Sequence, residues 1–302
     1  MDLGENRRVY SEEVRDLGLY ERTLSLLELI KFPHTVFSAP FAVMSAFLAA
    51  DGMPTLRQLL LILGALVMAR NCAMGFNRLA DFYYDTTNPR TQKWTVMQME
   101  LGRPTLLVFT LASALCFVVF AAALNRLTLY LAPVALAVVC LYSYTKRLSS
   151  FSHFILGLAL ALAPLGAWVA IRASFDAAPC LLATAVLLWT AGFDIIYSCQ
   201  DLEHDIRMGL HSIPKRLGIK NALRLSLLLH VLMVAVLLVL TRYVDLGNIY
   251  LLGVCATAVL LFYEHSLVKP DDLSRVNAAF FTVNGFISLA LMAFTLIDIF
   301  VS

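Results

Sequence analysis

The chain has 302 residues, 60% of them apolar and 15% charged, with a mean hydropathy of +0.77. A water-soluble domain of this composition could not cover its surface with polar groups, so the bilayer has to be its solvent. The formal net charge of +2 lacks the dense basic character that a phosphate backbone demands, which excludes nucleic acid as a partner.

Residues 1–30 are charged and hold no apolar run of signal-peptide type, and are expected to form a cytoplasmic segment ahead of one transmembrane domain over 31–302. On the template of roughly 17 to 25 apolar residues per spanning helix, the chain divides into nine spans: 33–50, 56–75, 104–123, 127–145, 152–171, 179–199, 222–241, 247–264 and 277–300. Pro40 and Pro164 fall inside spans, where proline kinks a helix, whereas Pro104 and Pro270 fall where a helix entry tolerates one. Six cysteines, Cys72, Cys116, Cys140, Cys180, Cys199 and Cys255, stand singly in or beside apolar runs with no CxxC pair, and read as small buried hydrophobes.

Nine spans place the termini on opposite sides, so the basic residues of alternate loops test the count. Of 23 Lys and Arg, 19 lie with the N-terminal side and only Arg57, Arg126, Arg172 and Arg242 with the other. The N-terminus is therefore expected in the cytoplasm and the C-terminus outside, with the chain integral to the inner membrane. The cytoplasmic loops also hold nearly every acidic and amide residue, so function is expected on that face.

The second span runs out into a segment in which Asn77, Asp81 and Asp85 are spaced i, i+4, i+8 on one helix face. The sixth ends likewise, with Asp194, Tyr197, Asp201 and Asp205 on one stripe and Glu203 pointing elsewhere. Carboxylates at the edge of a transmembrane helix are costly unless paired or coordinated. Two such stripes facing each other would need a cation, and hard oxygen ligands select Mg²⁺ or Ca²⁺. Mg²⁺ completes its shell with water and substrate phosphates, which points to a diphosphate bridging the stripes. Arg78, Arg90, Lys146, Arg147, Arg207, Lys215 and Arg216 accompany the acids, as an anionic substrate requires. His153 and His211 read as capped or interfacial residues, with no zinc spacing.

These residues resemble the UbiA superfamily of intramembrane aromatic prenyltransferases. Its first aspartate motif, NDxxDxxxD, is similar to Asn77, Asp81 and Asp85 here, with Arg78 where the family has its first Asp. The second, DxxxD, is similar to Asp201 and Asp205, the Tyr/Lys element between them to Tyr142 and Lys146, and the last-helix segment to the run from Asn277 to Asn284. The resemblance implies an all-α bundle of nine transmembrane helices, capped on the cytoplasmic side by the motif loops over a cavity that opens sideways to lipid. It also implies Mg²⁺ held by Asn77, Asp81, Asp85, Asp201 and Asp205 on a polyprenyl diphosphate, with Lys146 steadying the leaving group. Arg90, Tyr142, Tyr197, Asp194, Arg147 and Lys215 are expected to bind substrate or diphosphate. Phe76, Tyr142, Tyr144 and Tyr197 are candidates for shielding an allylic cation. The acceptor implied is an aromatic acid, 4-hydroxybenzoate in respiratory quinone synthesis ahead of 1,4-dihydroxy-6-naphthoate in a menaquinone route. An ion-coupled carrier is the rival reading, disfavoured because the acids cluster at one face and not at the midplane.

Overall fold

A computed structural model describes residues 18–29, 37–88 and 90–301. The described chain is helical almost throughout: α1 (Leu19–Leu29), α2 (Ala39–Ala50), α3 (Leu56–Thr87), α4 (Gln92–Leu101), α5 (Arg103–Leu124), α6 (Arg126–Leu148), α7 (Ser152–Arg172), α8 (Ala177–Ser198), α9 (Leu202–Arg207), α10 (Ile213–Leu217), α11 (Ile219–Leu240), α12 (Asn248–Ser266) and α13 (Asn284–Val301). Eight of these helices, some with their flanking turns, are long and apolar enough to cross a membrane. The ninth predicted span appears as the 12-residue α2, and residues 33–36 of that span lie outside the described residues, as does most of the predicted 1–30 segment.

The helices start and stop where the sequence supplies caps. Thr55 and Gln58 close a capping box at the head of α3, and Asn125 and Thr128 close another at α6. Pro40 sits in the first turn of α2 and not within a kink, because the helix begins later than the apolar run suggests. Pro104 opens α5. Pro164 lies inside α7, and its carbonyl accepts the Ser45 hydroxyl at 2.6 Å. Pro270 is not at a helix entry; it belongs to the turn closed by Lys269 and Asp272.

In a hydrocarbon environment association relies on close backbone approach, and glycines provide it. A Cβ on Gly157 of α7 would lie 2.5 Å from the Leu187 carbonyl oxygen of α8, and these two helices form one of the main seams. Further seams join α8 to α11, α3 to α5, and α12 to α13. Trp189, Phe193, Met233, Tyr250, Ile287 and Leu291 fill the interior. Leu107, Val108, Leu111, Leu115 and Val119 of α5 stay exposed, as a lipid-facing surface should.

The length of α3 positions the site. Thirty-two residues make a rod of about 48 Å, against a hydrocarbon core of about 30 Å. Its last three turns therefore project beyond the apolar slab, carrying Asn77, Asp81 and Asp85 with them. α8 passes through a 3₁₀ turn, Cys199–Asp201, into α9 at the same end.

Candidate active site

On α3 each carboxylate has a cationic partner. The Asp81 carboxylate accepts from Arg147 at 2.8 Å and from Asn77 at 2.5 Å, and Asn77 also reaches Ser143 at 3.3 Å. Arg78, 4% exposed, donates to Asp85 at 2.9 Å and to the Leu29 carbonyl at 3.2 Å. The residue standing where the family has an Asp thus serves as counter-ion to Asp85.

The second stripe meets the first through the loop after α3. Arg90 grips Asp201 with two parallel hydrogen bonds of 2.9 and 2.7 Å, and a third reaches the Tyr197 hydroxyl at 3.1 Å. Asn88 adds a donor to Asp201 at 3.3 Å. Burial opposes the Arg90 charge, but the Asp201 carboxylate outweighs it and holds the guanidinium pKa above its ordinary value. Lys146 stands 3.8 Å from Asp205. The other Asp205 oxygen is buried with no hydrogen-bond partner. Glu203 is exposed.

These groups line a cavity of about 260 Å³. Asn77, Asp81, Asp85, Arg90, Tyr142, Lys146, Arg147, Asp194, Tyr197, Asp201 and Asp205 all contribute to its wall. Lys215 does not: its ammonium is bound to the carbonyls of Leu210 at 2.7 Å and Asp205 at 3.2 Å, closing the end of α9. Phe76 and Tyr144 pack edge to face, with rings 5.9 Å apart, away from the cavity wall, because their positions on α3 and α6 are out of phase with Asn77 and Tyr142.

A second cavity of about 370 Å³, lined chiefly by Ala, Leu and Val of α3, α6 and α7, shares Arg70, Met74, Asn77, Tyr142, Leu156 and Leu160 with the first. A polar chamber at the helix ends thus adjoins an apolar one reaching into the bundle.

Three groups escaped sequence reasoning. Arg70 lines both cavities where they adjoin; its spacing of seven from Asn77 puts it on the carboxylate face of α3, a signal that was available. His153 is fully buried, and its Nδ1 meets Asp194 at 2.6 Å. Its Nε2 accepts the Ile213 backbone N–H at 3.4 Å, which makes Nδ1 the donor to the carboxylate. Nothing local in the sequence announces that pair, 41 residues apart. Phe37, Phe193 and Phe280 supply aromatic wall from three separate parts of the chain.

No three His, Cys, Asp or Glu side chains among the described residues stand ready to hold a metal ion, and Asp81, Asp85 and Asp201 are each paired with a guanidinium group. The donor set still suits Mg²⁺: it is all oxygen, the ion needs only one or two carboxylates beside water and phosphate, and Asp205 presents a buried oxygen without a partner.

Comparison with known proteins agrees with this architecture. Two bacterial proteins named 4-hydroxybenzoate octaprenyltransferase are similar to the chain. The one from Vesicomyosocius okutanii is 30% identical over 75% of this chain and 82% of its own, and that from Pseudomonas aeruginosa is 28% identical over 84% and 85%. The apo structure of a UbiA homolog from Aeropyrum pernix superposes with a TM-score of 0.80 at 32% identity, covering 88% of this chain and 98% of that one. A UbiA homolog from Archaeoglobus fulgidus, solved bound to DMAPP and Mg²⁺, shares the fold with a TM-score of 0.72 at 20% identity, covering 92% of this chain and 100% of that one. The profile of the UbiA prenyltransferase family matches residues 38–290, and with the paired carboxylate stripes of α3 and α8–α9 set over an apolar chamber, the chain belongs to that family of membrane transferases.

Proposed function

We propose that the protein transfers a polyprenyl group from its diphosphate to an aromatic acid, with 4-hydroxybenzoate in respiratory quinone synthesis as the acceptor, at the cytoplasmic face of the inner membrane. The observation that carries this reading is the adjoining of an acid- and arginine-lined chamber to an apolar one, with room for a diphosphate in the first and an isoprenoid tail in the second.

Mg²⁺ held by Asn77, Asp81, Asp85, Asp201 and Asp205 would supply charge neutralisation for the departing diphosphate. Arg90, Arg147 and Lys146 line the same chamber and bind phosphate oxygens as forked or point donors. When the C1–O bond of the allylic diphosphate breaks, the electron pair leaves with diphosphate. A ring carbon of the phenol then gives C1 a pair, forms the C–C bond and loses its proton. His153 donates to Asp194 and fixes the orientation of its carboxyl group at the chamber wall. Arg70 lines both chambers where they adjoin and is the kind of intramembrane charge that marks a substrate path. The short helices α4, α9 and α10 form the cap on this side.

Membranes containing the protein, supplied with radiolabelled farnesyl diphosphate and either 4-hydroxybenzoate or 1,4-dihydroxy-6-naphthoate, test the proposal. The expected outcome is a lipid product with 4-hydroxybenzoate that EDTA abolishes and that Asp81→Ala and Asp201→Ala each reduce by about 100-fold or more. Product with the naphthoate alone would reassign the acceptor. Absence of product with both, from folded protein, would overturn the aromatic-acid reading in favour of another acceptor of the superfamily or of a carrier.

A further inference from the structure

The chain enters α13 through a π-helical turn, Ala278–Val283. Such turns are rare and are often found at functional sites. This one is held from outside its own helix. The Asn284 amide donates to the carbonyls of Ala279 at 3.1 Å and Phe280 at 3.2 Å and to the Glu264 carboxylate of α12 at 2.9 Å. Its oxygen accepts the Trp189 indole N–H of α8 at 2.6 Å. Trp189, Glu264 and Asn284 are all 0% exposed. A buried carboxylate in a membrane bundle is expensive, and nothing in the diphosphate chemistry touches Glu264, which is absent from the chamber wall.

The turn sets the direction of Phe280. One extra residue rotates the helix on its N-terminal side by about 100° relative to the helix on its C-terminal side, so the bulge sets the direction of Phe280 relative to the buried face of α13 that carries Ile287 and Leu291. The Phe280 ring lies 4.0 Å from that of Tyr197, 5.2 Å from Phe193 and 5.7 Å from Phe37. All four rings line the polar chamber, and Tyr197 also binds Arg90. The aromatic wall therefore adjoins the diphosphate end of the chamber.

We propose that Trp189, Glu264 and Asn284 are positioning residues: they hold the π turn that presents Phe280, and Phe280 with Phe37, Phe193 and Tyr197 keeps water from the reacting carbon. This inference rests on the transferase reading. After the C1–O bond breaks, C1 takes an electron pair either from the phenol ring, which gives up a proton, or from water, which gives up a proton and leaves a prenyl alcohol. The wall decides the partition between these two products.

The ratio of prenyl alcohol to prenylated acceptor, measured in the same membranes, reads the inference directly. Phe280→Leu and Asn284→Ala should each raise the alcohol share by about three- to tenfold. Glu264→Gln, which keeps an oxygen for Asn284, should stay near the unaltered ratio. Asp298→Asn weakens the far end of α13, where Asp298 accepts from Gly247, Ile249 and Tyr250 backbone N–H groups; it should lower thermal stability without moving the ratio. Turnover by the unaltered protein with no change of ratio in Phe280→Leu and Asn284→Ala would overturn this inference alone. A ratio that shifts as much in Asp298→Asn would overturn it as well, reducing the cluster to structural support. Unaltered membranes that consume no prenyl diphosphate would overturn the transferase reading and this inference with it.

Discussion

Arg90 and Asp201 meet through two parallel hydrogen bonds, a geometry that lysine cannot copy. Arg90→Lys keeps the charge but loses the fork, so kcat/KM for the prenyl diphosphate should fall by about tenfold or more, measured by steady-state transfer in membranes. His153 makes a different prediction. His153→Phe strips a largely buried carboxyl group of its donor, a change that typically costs about 1 to 3 kcal/mol, and should lower the unfolding temperature in detergent. His153→Asn, which retains an N–H, should recover part of the loss. The contrast between these residues also shows what a sequence reveals. Arg90 stands beside a carboxylate motif and is read with it, whereas His153 depends on a fold that brings 153 to 194. Lys215 sits in a basic loop that resembles substrate-binding sequence, yet its ammonium closes a helix end, because carbonyl acceptors lay within reach and the chamber did not.

At the scale of the element, the apolar runs with their caps were legible wherever hydropathy and length agree. They failed at the start of α2, which begins at Ala39, whereas α3 continues to Thr87 as the i, i+4, i+8 spacing of Asn77, Asp81 and Asp85 predicts, because amphipathic turns stay helical once water receives their polar face. The π turn before α13 was not legible, since its partners Trp189 and Glu264 come from other helices. The seam between α7 and α8 tests the packing argument. A side chain at position 157 must displace the Leu187 backbone, 2.5 Å away, which is not a flexible tip. Gly157→Leu should therefore lower the yield of folded protein and its unfolding temperature, while Gly166→Leu, where a Cβ meets nothing within 4 Å, should leave both close to unaltered. Size-exclusion profiles and thermal shift in detergent decide the matter.

For the whole molecule, the alternation of basic loops predicts which face is which. Phe37 at the start of α2 lines the polar chamber, and the Ala49 carbonyl near its end accepts Arg172 from the end of α7. With 12 residues α2 is shorter than a spanning helix requires, and nine passes with termini on opposite faces are what the loop charges predict and what accessibility labelling tests. In a cysteine-free background, Glu203→Cys should react with a membrane-impermeant maleimide only in inverted vesicles, and Asp245→Cys, between α11 and α12, only in right-side-out cells. The reverse pattern would overturn the assigned orientation.

Synthesis runs from the N-terminus, so α12 and α13 reach the bilayer after the helices they pack on, and they arrive carrying Glu264, Asn284 and Asp298. Much of that polarity is already satisfied within the pair: Asn284 meets Glu264, and Asp298 meets the head of α12. His230, by contrast, is made earlier on α11 and finds its Nδ1 partner, His265, on α12, and the Trp189 indole N–H awaits Asn284. A chain that stops short of residue 248 leaves those two groups without these partners, and an unsatisfied polar group in hydrocarbon is costly. In pulse–chase labelling, chains truncated before residue 248 should therefore be cleared faster than chains that include α12 and α13.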